Sequence, residues 1–337
     1  MHKYYFITPI STGPGFNPGC SYITLGAKHL ISHADPGSLF LDVSILGYSK
    51  QEWDLLLDQA DCLVFAGNPR YNPSNVHSYW DYDIWDHIRN AQSKGILTAD
   101  LWGGSAYPLP LKDIDTMARD MLTYDRNKHT LAAQSKLDIV TTRDPCAQLI
   151  ASTARKDVHL FPCSSYWAST FLKITPNNRP YNCVVLRYIE GQPWVIKSLH
   201  TLSQILAREK RTFYVCHAGH EYWWAKKNFP GIHNLVCIFD PTSLLKFYAM
   251  CDKVISMRLH GSIPALSLGC NVINVATDSR CLTFDNLGFA SVPYTALEDL
   301  PHNLSFHRIL KPSAPDPKNF VTLFRQKIVS RLNHATK

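Results

Sequence analysis

Long hydrophobic runs, paired cysteines and charge are all scarce in this sequence, and each scarcity excludes something. No apolar stretch approaches the ~20 residues of a membrane-spanning helix. The first apolar run, Tyr4 to Ile10, is too short and too soon broken by Pro9 and Gly13 to be a secretory signal. A cytoplasmic protein is the expectation. The ten cysteines include no Cys-x-x-Cys, and most lie inside apolar runs. They read as reduced core residues, with neither a disulfide frame nor a zinc site expected. Charged residues make up 18% of the chain and hydrophobic ones 45%, a balance that excludes intrinsic disorder and requires a packed core. Neither a Gly-x-Ser-x-Gly elbow nor a Walker loop is present, and no internal repeat is visible.

What charge there is falls unevenly. Residues 1–168 carry 14 Lys and Arg against 17 Asp and Glu, net −3, while residues 169–337 carry 20 against 10, net +10. An anionic ligand therefore belongs with the C-terminal half. Residues 306–337 hold seven basic residues and one acidic one. That tail is either simply solvated or offers peripheral contact to a membrane surface or polyanion.

The 337 residues suffice for two ordinary domains. β-Branched and aromatic runs at Tyr4–Ile10, Leu39–Val43, Cys62–Ala66, Ile96–Ala99, Asp138–Thr142 and Val158–Phe161 alternate with helical patterns near 20–31, 50–59, 81–94, 127–136 and 144–152. This rhythm predicts a doubly wound parallel sheet. Residues 173–182, full of turn formers, read as a linker. The rhythm resumes at Cys183–Arg187, Thr212–Cys216, Leu235–Ile238, Lys253–Met257 and Val272–Val275. The predicted architecture is α/β, with two Rossmann-like doubly wound domains facing a central cleft. The domains are 1–172 and 183–305, joined by the linker 173–182 and followed by the tail 306–337. In the tail, Phe320, Leu323, Phe324, Ile328 and Leu332 mark an amphipathic helix over 316–333, expected to pack across both halves. Ligands of such sheets sit beyond the carboxyl ends of strands, so the cleft is the natural site.

One segment concentrates chemistry. Val254 to Met257 favours a strand, Arg258-Leu259-His260-Gly261 follows, and then comes an apolar helix pattern that Gly269 stops. In an extended segment alternate residues share a face, so Arg258 and His260 point the same way. The following helix brings unpaired N–H groups and a positive dipole end to the same spot. Arg, His and a helix N-terminus together make an anion site. The plainer reading is a strand-to-helix junction with Arg and His as surface decoration. Other strands end at Arg143-Asp144, near His217, and near Asp278-Ser279-Arg280.

Further constellations are weaker. Gly13-Pro-Gly15-Phe-Asn-Pro-Gly19 is one residue too long for a dinucleotide loop and reads as a turn lining the cleft, although Asp42 mimics a ribose-binding acid. His217-Ala-Gly-His220-Glu221 has metal-like spacing without the order of zinc-protease helices. A cleft loop touching substrate and a purely structural turn stand about even there. The loop Asn68 to Trp80, with Arg70, Tyr71 and His77, suits sugar faces and hydroxyls, and aromatic loops equally suit ordinary packing. Trp102-Gly-Gly-Ser-Ala-Tyr107 is similar. Tyr222-Trp223-Trp224 with Lys226 and Lys227 reads as an exposed helix face rather than a nucleic-acid clamp. No metal and no nucleic-acid partner are expected.

Two stretches resemble the signatures of the polysaccharide pyruvyl transferases. One is Ser256-Met-Arg-Leu-His-Gly-Ser-Ile-Pro-Ala-Leu-Ser-Leu-Gly-Cys-Asn-Val-Ile-Asn-Val-Ala-Thr-Asp278-Ser-Arg280; the other is Ile139-Val-Thr-Thr-Arg143-Asp144. The resemblance covers about residues 138–150 and 240–290 and departs in the N-terminal half. There Asn17-Pro-Gly19-Cys20 lacks the acid of an Asn-x-Gly-Asp start. Phe65-Ala-Gly67-Asn-Pro-Arg70 stands in for Gly-Gly-Gly, and Pro162-Cys-Ser-Ser for Asp-Pro.

The resemblance implies a GT-B-like arrangement and transfer of the enolpyruvyl unit of phosphoenolpyruvate. The acceptor would be a sugar or glycan, free or lipid-linked, and the product a pyruvyl ketal formed with no cofactor. It implies that Arg143 and Arg258, with Leu259, His260 and Gly261 beside them, hold the donor's phosphate and carboxylate, a task for Arg rather than Lys. Arg280 is a third donor-binding candidate and reads equally well as a salt bridge to Asp278. His260 is the implied acid/base, with Arg258 and Arg143 as its catalytic neighbours. Acceptor contacts are expected from Asn68, Arg70, Tyr71, His77 and His217. Two other readings stay open. One is a glycosyltransferase of the same architecture with Arg258 and His260 on a nucleotide-sugar diphosphate. The other is a non-catalytic glycan- or polyanion-binding protein using the basic tail.

Overall fold

The computed structural model describes residues 1–8, 18–44, 50–74, 79–188, 193–228, 232–297 and 315–335. They form two parallel sheets. The first contains β1 (Lys3–Thr8), β2 (Leu39–Ser44), β3 (Cys62–Ala66), β4 (Pro69–Tyr71), β5 (Leu97–Ser105), β6 (Ile139–Thr142) and β7 (His159–Leu160). Its order is β2-β1-β3-β5-β6-β7, with β4 beside β5. The second contains β8 (Tyr181–Leu186), β9 (Arg211–Cys216), β10 (Leu235–Cys237), β11 (Cys251–Ser256), β12 (Asn271–Ala276) and β13 (Val292–Pro293), in the order β10-β9-β8-β11-β12-β13. Parallel sheets must be covered on both faces, and β3, β5 and β6 are accordingly buried along their whole length. The winding direction reverses between β1 and β3 in the first sheet and between β8 and β11 in the second. This is the doubly wound, GT-B-like arrangement that the sequence predicts.

Most strands fall within a residue or two of their predicted places. β5 differs: it runs on to Ser105 through a segment that reads as a loop in sequence. Trp102 sits there at φ +56°, and the register against β6 shifts between Asp100 and Gly103. β4 occupies part of the predicted 68–80 loop. The helix Ile114–Leu122, started by Asp113 accepting the Thr116 N–H at 2.8 Å, is an addition to the sequence reading.

The C-terminal segments Lys318–Phe324, Arg325–Val329 and Ser330–Ala335 form one helical run with a π turn in the middle. Its ring contacts, ion pairs and side-chain hydrogen bonds among the described residues include several to the N-terminal half. Phe320 packs at a tilt on Trp102 and Phe324 on Tyr4, and Arg325 donates to the Ala34 and His33 carbonyls. Lys327 pairs with Asp157 and Arg331 with Asp138. All these partners belong to the N-terminal half, and three of the tail's basic residues, Arg325, Lys327 and Arg331, take part in these contacts. No helix among the described residues is long and apolar enough to cross a membrane.

Candidate active site

The carboxyl ends of the two sheets face each other across a pocket. Cys20, Asn68 and Arg143 line it from the N-terminal half; Arg187, Arg258, His260, Asp278 and Arg280 line it from the C-terminal half. Cys20 and Asn68 follow β1 and β3, and Arg187 and Arg258 follow β8 and β11, so both winding reversals open onto it.

The Thr-x-Arg-Asp segment shows a division of labour. Thr141 Oγ1 accepts the Trp102 N–H at 2.9 Å, tying β6 to β5. Asp144 caps the helix Pro145–Ser152 through the Ala147 N–H at 2.8 Å and also accepts from the Ser105 N–H and hydroxyl, at 2.8 and 2.9 Å. Burial pushes the Asp144 carboxyl up, and these donors and Arg143 pull against it. Asp144 is thus spent on the backbone. Arg143 is 0% exposed and has no carboxylate partner among the described residues. Its Nε is unpartnered, and its Nη1 lies 3.4 Å from His260 Nε2. Gly104 makes the room, since a Cβ there would stand 2.6 Å from Arg143 Nε. A buried guanidinium without a counter-ion is costly unless an anion joins it.

Arg258 is held differently. β11 ends at Ser256, and Arg258 is the extended N-cap (φ −119°, ψ 124°) of the helix Leu259–Ser267. Its N–H donates to Ser256 Oγ at 3.1 Å, and that hydroxyl donates back to the Arg258 carbonyl at 2.8 Å. His260 is therefore already in a helical turn. It does not share a strand face with Arg258, as alternation along an extended segment predicts; Arg258 reaches the pocket from the N-cap and His260 from the first helical turn. The Arg258 guanidinium donates through Nε (3.2 Å) and Nη2 to Glu221, a buried carboxylate in the first turn of the helix Gly219–Asn228. Leu259 lines the pocket. Gly261 does not; a Cβ there would lie 2.4 Å from Ser256 Oγ and 3.2 Å from Val185 Cγ2, so its role is close helix-to-strand packing.

Arg280 and Arg187 share Asp278. Arg280 donates from Nε at 2.7 Å and from Nη2, and Arg187 from Nη1 at 3.0 Å. Burial would raise the Asp278 carboxyl, yet the two guanidinium groups hold it at about 2. Arg280 is salt-bridged to Asp278, as one reading has it, and also lines the pocket. Four pocket arginines against Glu221 and Asp278 leave two positive charges in excess, a match for a dianion.

His260 lies at the seam. Gly19, at the start of the helix Pro18–Ala34, approaches so closely that a Cβ there would be 2.4 Å from His260 Nδ1. Desolvation by the packed surroundings, then Arg143, Arg280, His217 and Arg258, push the His260 pKa well below the usual histidine value. The ring is neutral near pH 7. A guanidinium can only donate, so the nitrogen facing Arg143, Nε2, carries the lone pair.

Several expected acceptor residues are elsewhere. Arg70 is clamped on Asp100 (Nε 3.0 Å, Nη2 2.7 Å) and lies 3.5 Å over the Phe65 ring. Tyr71 is fully buried and donates to Gln134. Both belong to the interior of the N-terminal half, where a buried carboxylate and amide draw them away from the cleft. His217 is fully buried, hydrogen-bonded to Tyr248 at 2.8 Å, and held well below the usual histidine range by burial and then Arg258. Asn68 does line the pocket. His77 and residues 13–17 of the glycine-rich turn lie outside the described residues. Asp42 is taken by Lys28 at 2.5 Å, not left open to a ribose. Arg187 and Glu221 escaped the sequence reading. Arg187 ends a predicted strand, and Glu221 ends the metal-like His217 segment, so each carried a positional signal without a partner to interpret it.

Residues 116–279 match the model of the polysaccharide pyruvyl transferase family. That span holds Arg143, Arg187, Glu221, Arg258, His260 and Asp278. No curated protein matches the chain in sequence. Among solved structures, S. aureus MnaA with UDP is similar over 100% of this chain and 97% of its own, with TM-score 0.59 and 10% identity. The UDP-GlcNAc 2-epimerase of Neisseria meningitidis, bound to UDP-GlcNAc, gives 98% and 100% coverage, TM-score 0.54 and 12% identity. The Methanocaldococcus jannaschii UDP-GlcNAc 2-epimerase, in complex with UDP-GlcNAc and UDP, gives 96% and 98%, 0.52 and 10%. At such identities the likeness concerns the fold.

Proposed function

We propose that this chain is a glycan-modifying transferase that moves the enolpyruvyl unit of phosphoenolpyruvate onto a sugar and closes a pyruvyl ketal. One observation carries the reading. Arg143 is a fully buried guanidinium with an unpartnered Nε, in a pocket with two uncompensated positive charges. Phosphoenolpyruvate offers a phosphate and a carboxylate to such a pocket. Arg143 takes one anionic group directly. Arg258 presents what its Glu221 pair leaves free, and Arg280 and Arg187 line the wall nearby. His260 is held neutral, and its Nε2, released from the Arg143 Nη1–H once an anion engages that guanidinium, accepts the proton of the attacking sugar hydroxyl. The imidazolium then formed is stabilised by the phosphate beside it. Asn68 is the acceptor-side candidate that the pocket retains.

A second reading is a nucleotide-sugar glycosyltransferase, favoured by the fold neighbours that hold UDP or UDP-GlcNAc. Against it, no aromatic side chain lines the pocket among the described residues to stack a base. A thermal-shift titration of wild type and Arg143→Ala with phosphoenolpyruvate, UDP-sugars and GDP-sugars separates the two. Ligand at about 100 times its dissociation constant adds about 2.7 kcal/mol. Stabilisation by phosphoenolpyruvate that disappears in the variant is the expected result. Stabilisation only by a nucleotide-sugar would replace the proposal with the second reading.

A further inference from the structure

Proton transfer to His260 accounts for the sugar hydroxyl but leaves open which group protonates the donor's methylene carbon. We propose that Cys20 is that proton donor, an inference that deepens the pyruvyl-transfer reading and rests on it. Cys20 stands in the first turn of the 17-residue helix Pro18–Ala34, partly exposed, in the wall of the pocket that Arg143 and His260 also line. Two observations beyond the thiol support the assignment. Arg143, fully buried with its Nε unpartnered, marks an anion position in that same pocket. The thiol is also held in place: Sγ donates to Asn68 Oδ1 at 3.1 Å, and Asn68, in the left-handed region at φ +66°, lines the same pocket. Because the Gly19 backbone packs against the His260 ring, the residue next to Cys20 lies beside His260 although the two come to the pocket from different halves.

The electrostatics suit an acid. Burial pushes the thiol up, while Arg143, Arg70, Arg280 and Arg258 pull it down less strongly. The proton is therefore present at neutral pH, and the thiolate left behind sits in a field of arginines. The protons balance over two steps. First, the sugar oxygen bonds to C2, the C2=C3 π pair takes the Cys20 proton at C3, and the hydroxyl proton goes to His260. Second, another hydroxyl oxygen bonds to C2 while the C2–O bond to phosphate breaks, its electron pair leaving with phosphate. That hydroxyl's proton restores the Cys20 thiol, and the His260 proton departs on phosphate. Ketal and hydrogen phosphate are the products, and both side chains return to their starting forms.

The test compares wild type with Cys20→Ser, Cys20→Ala and Cys20→Asp, following phosphate release from phosphoenolpyruvate with a panel of methyl hexosides. Loss of a general acid is worth about 10²- to 10⁴-fold. Expected for Ala and Ser is a fall in kcat of at least about 100-fold, with KM for phosphoenolpyruvate changed by less than about threefold. Cys20→Asp is expected to recover part of the loss, with its rate declining at a lower pH on the alkaline side. Phosphoenolpyruvate is also expected to slow iodoacetamide labelling of Cys20, read by mass spectrometry. The near-isosteric serine, with an unchanged melting midpoint, separates lost chemistry from lost folding. A kcat for Cys20→Ser and Cys20→Ala within about threefold of wild type, or labelling indifferent to phosphoenolpyruvate, overturns the inference and leaves the proposed function standing. A wild type that releases no phosphate with any hexoside overturns both.

Discussion

Arg143 and His260 meet across the seam between the two halves, Nη1 to Nε2 at 3.4 Å. Each is incomplete without a third group. The guanidinium is buried with no carboxylate partner among the described residues, and the imidazole is kept neutral by desolvation and by the arginines around it. An anion beside them would give the guanidinium its counter-ion.

Replacing Arg143 by Met is expected to stabilise the empty protein while abolishing its response to phosphoenolpyruvate. The charge has no ion partner among the described residues, so a long apolar side chain removes a desolvation cost. Replacing buried ionic groups in this way has been worth about 1–4 kcal/mol. Losing a charged hydrogen bond to the donor should cost about 1.5–3 kcal/mol of binding. Melting midpoints with and without phosphoenolpyruvate report both. A lower midpoint for the empty variant would mean that Arg143 is held for structure instead.

Glu221 and Arg258 behave oppositely, because each neutralises the other out of water. Glu221→Gln alone is expected to cost about 3–5 kcal/mol, the usual result of stranding one member of a buried pair. Combining Glu221→Gln with Arg258→Met should recover most of that stability and none of the donor binding. Chemical denaturation of the two single variants and the double variant closes the cycle. Additive losses would rule out the coupling.

Acid should destabilise the protein through its histidines. Burial or desolvation is the main cause, and nearby charge the second, that hold His217 and His260 well below the ordinary value. With the folded pKa beneath the unfolded one of about 6.5, the unfolded chain binds more protons. This stability is present above about pH 6.5 and is lost as pH falls, by up to about 1.36 kcal/mol per pH unit for each ring. His29, lowered by desolvation and His33, adds in the same direction. Denaturation curves between about pH 8 and pH 5.5 measure the slope. Inorganic phosphate should flatten the His260 share, since it gives the imidazolium a counter-ion. A flat profile in plain buffer would show that the rings are not held neutral.

Gly104→Ala tests the seat of Arg143 without touching a polar group. The new Cβ would stand 2.6 Å from Nε and 2.9 Å from Nη2. The guanidinium must swing away, so calorimetric titration with phosphoenolpyruvate should show an affinity loss of at least about tenfold, comparable to losing a charged hydrogen bond. Unchanged affinity would mean that the pocket tolerates another Arg143 position.

The sequence by itself determined the alternation of strands and helices, the two parallel sheets, and the strand ends that carry Arg143, Arg258 and His260. These are local matters: apolar periodicity and the break at a strand end are written in neighbouring residues. Tertiary structure alone decided the partners. Glu221 meets Arg258 from 37 residues away, and Arg143 meets His260 from 117. Arg70 shares its stretch of chain with Asn68, yet Asp100 draws it into the core while Asn68 stays at the pocket. The run through Trp102-Gly-Gly looks like a loop because glycine weakens a strand pattern; in the fold, those glycines let two arginine side chains lie against β5. Charge pairing acts through space and burial depends on what packs overhead. A chain read in order contains every charged group of this site but not which of them neutralise one another, and that pairing is what leaves Arg143 open to an anion.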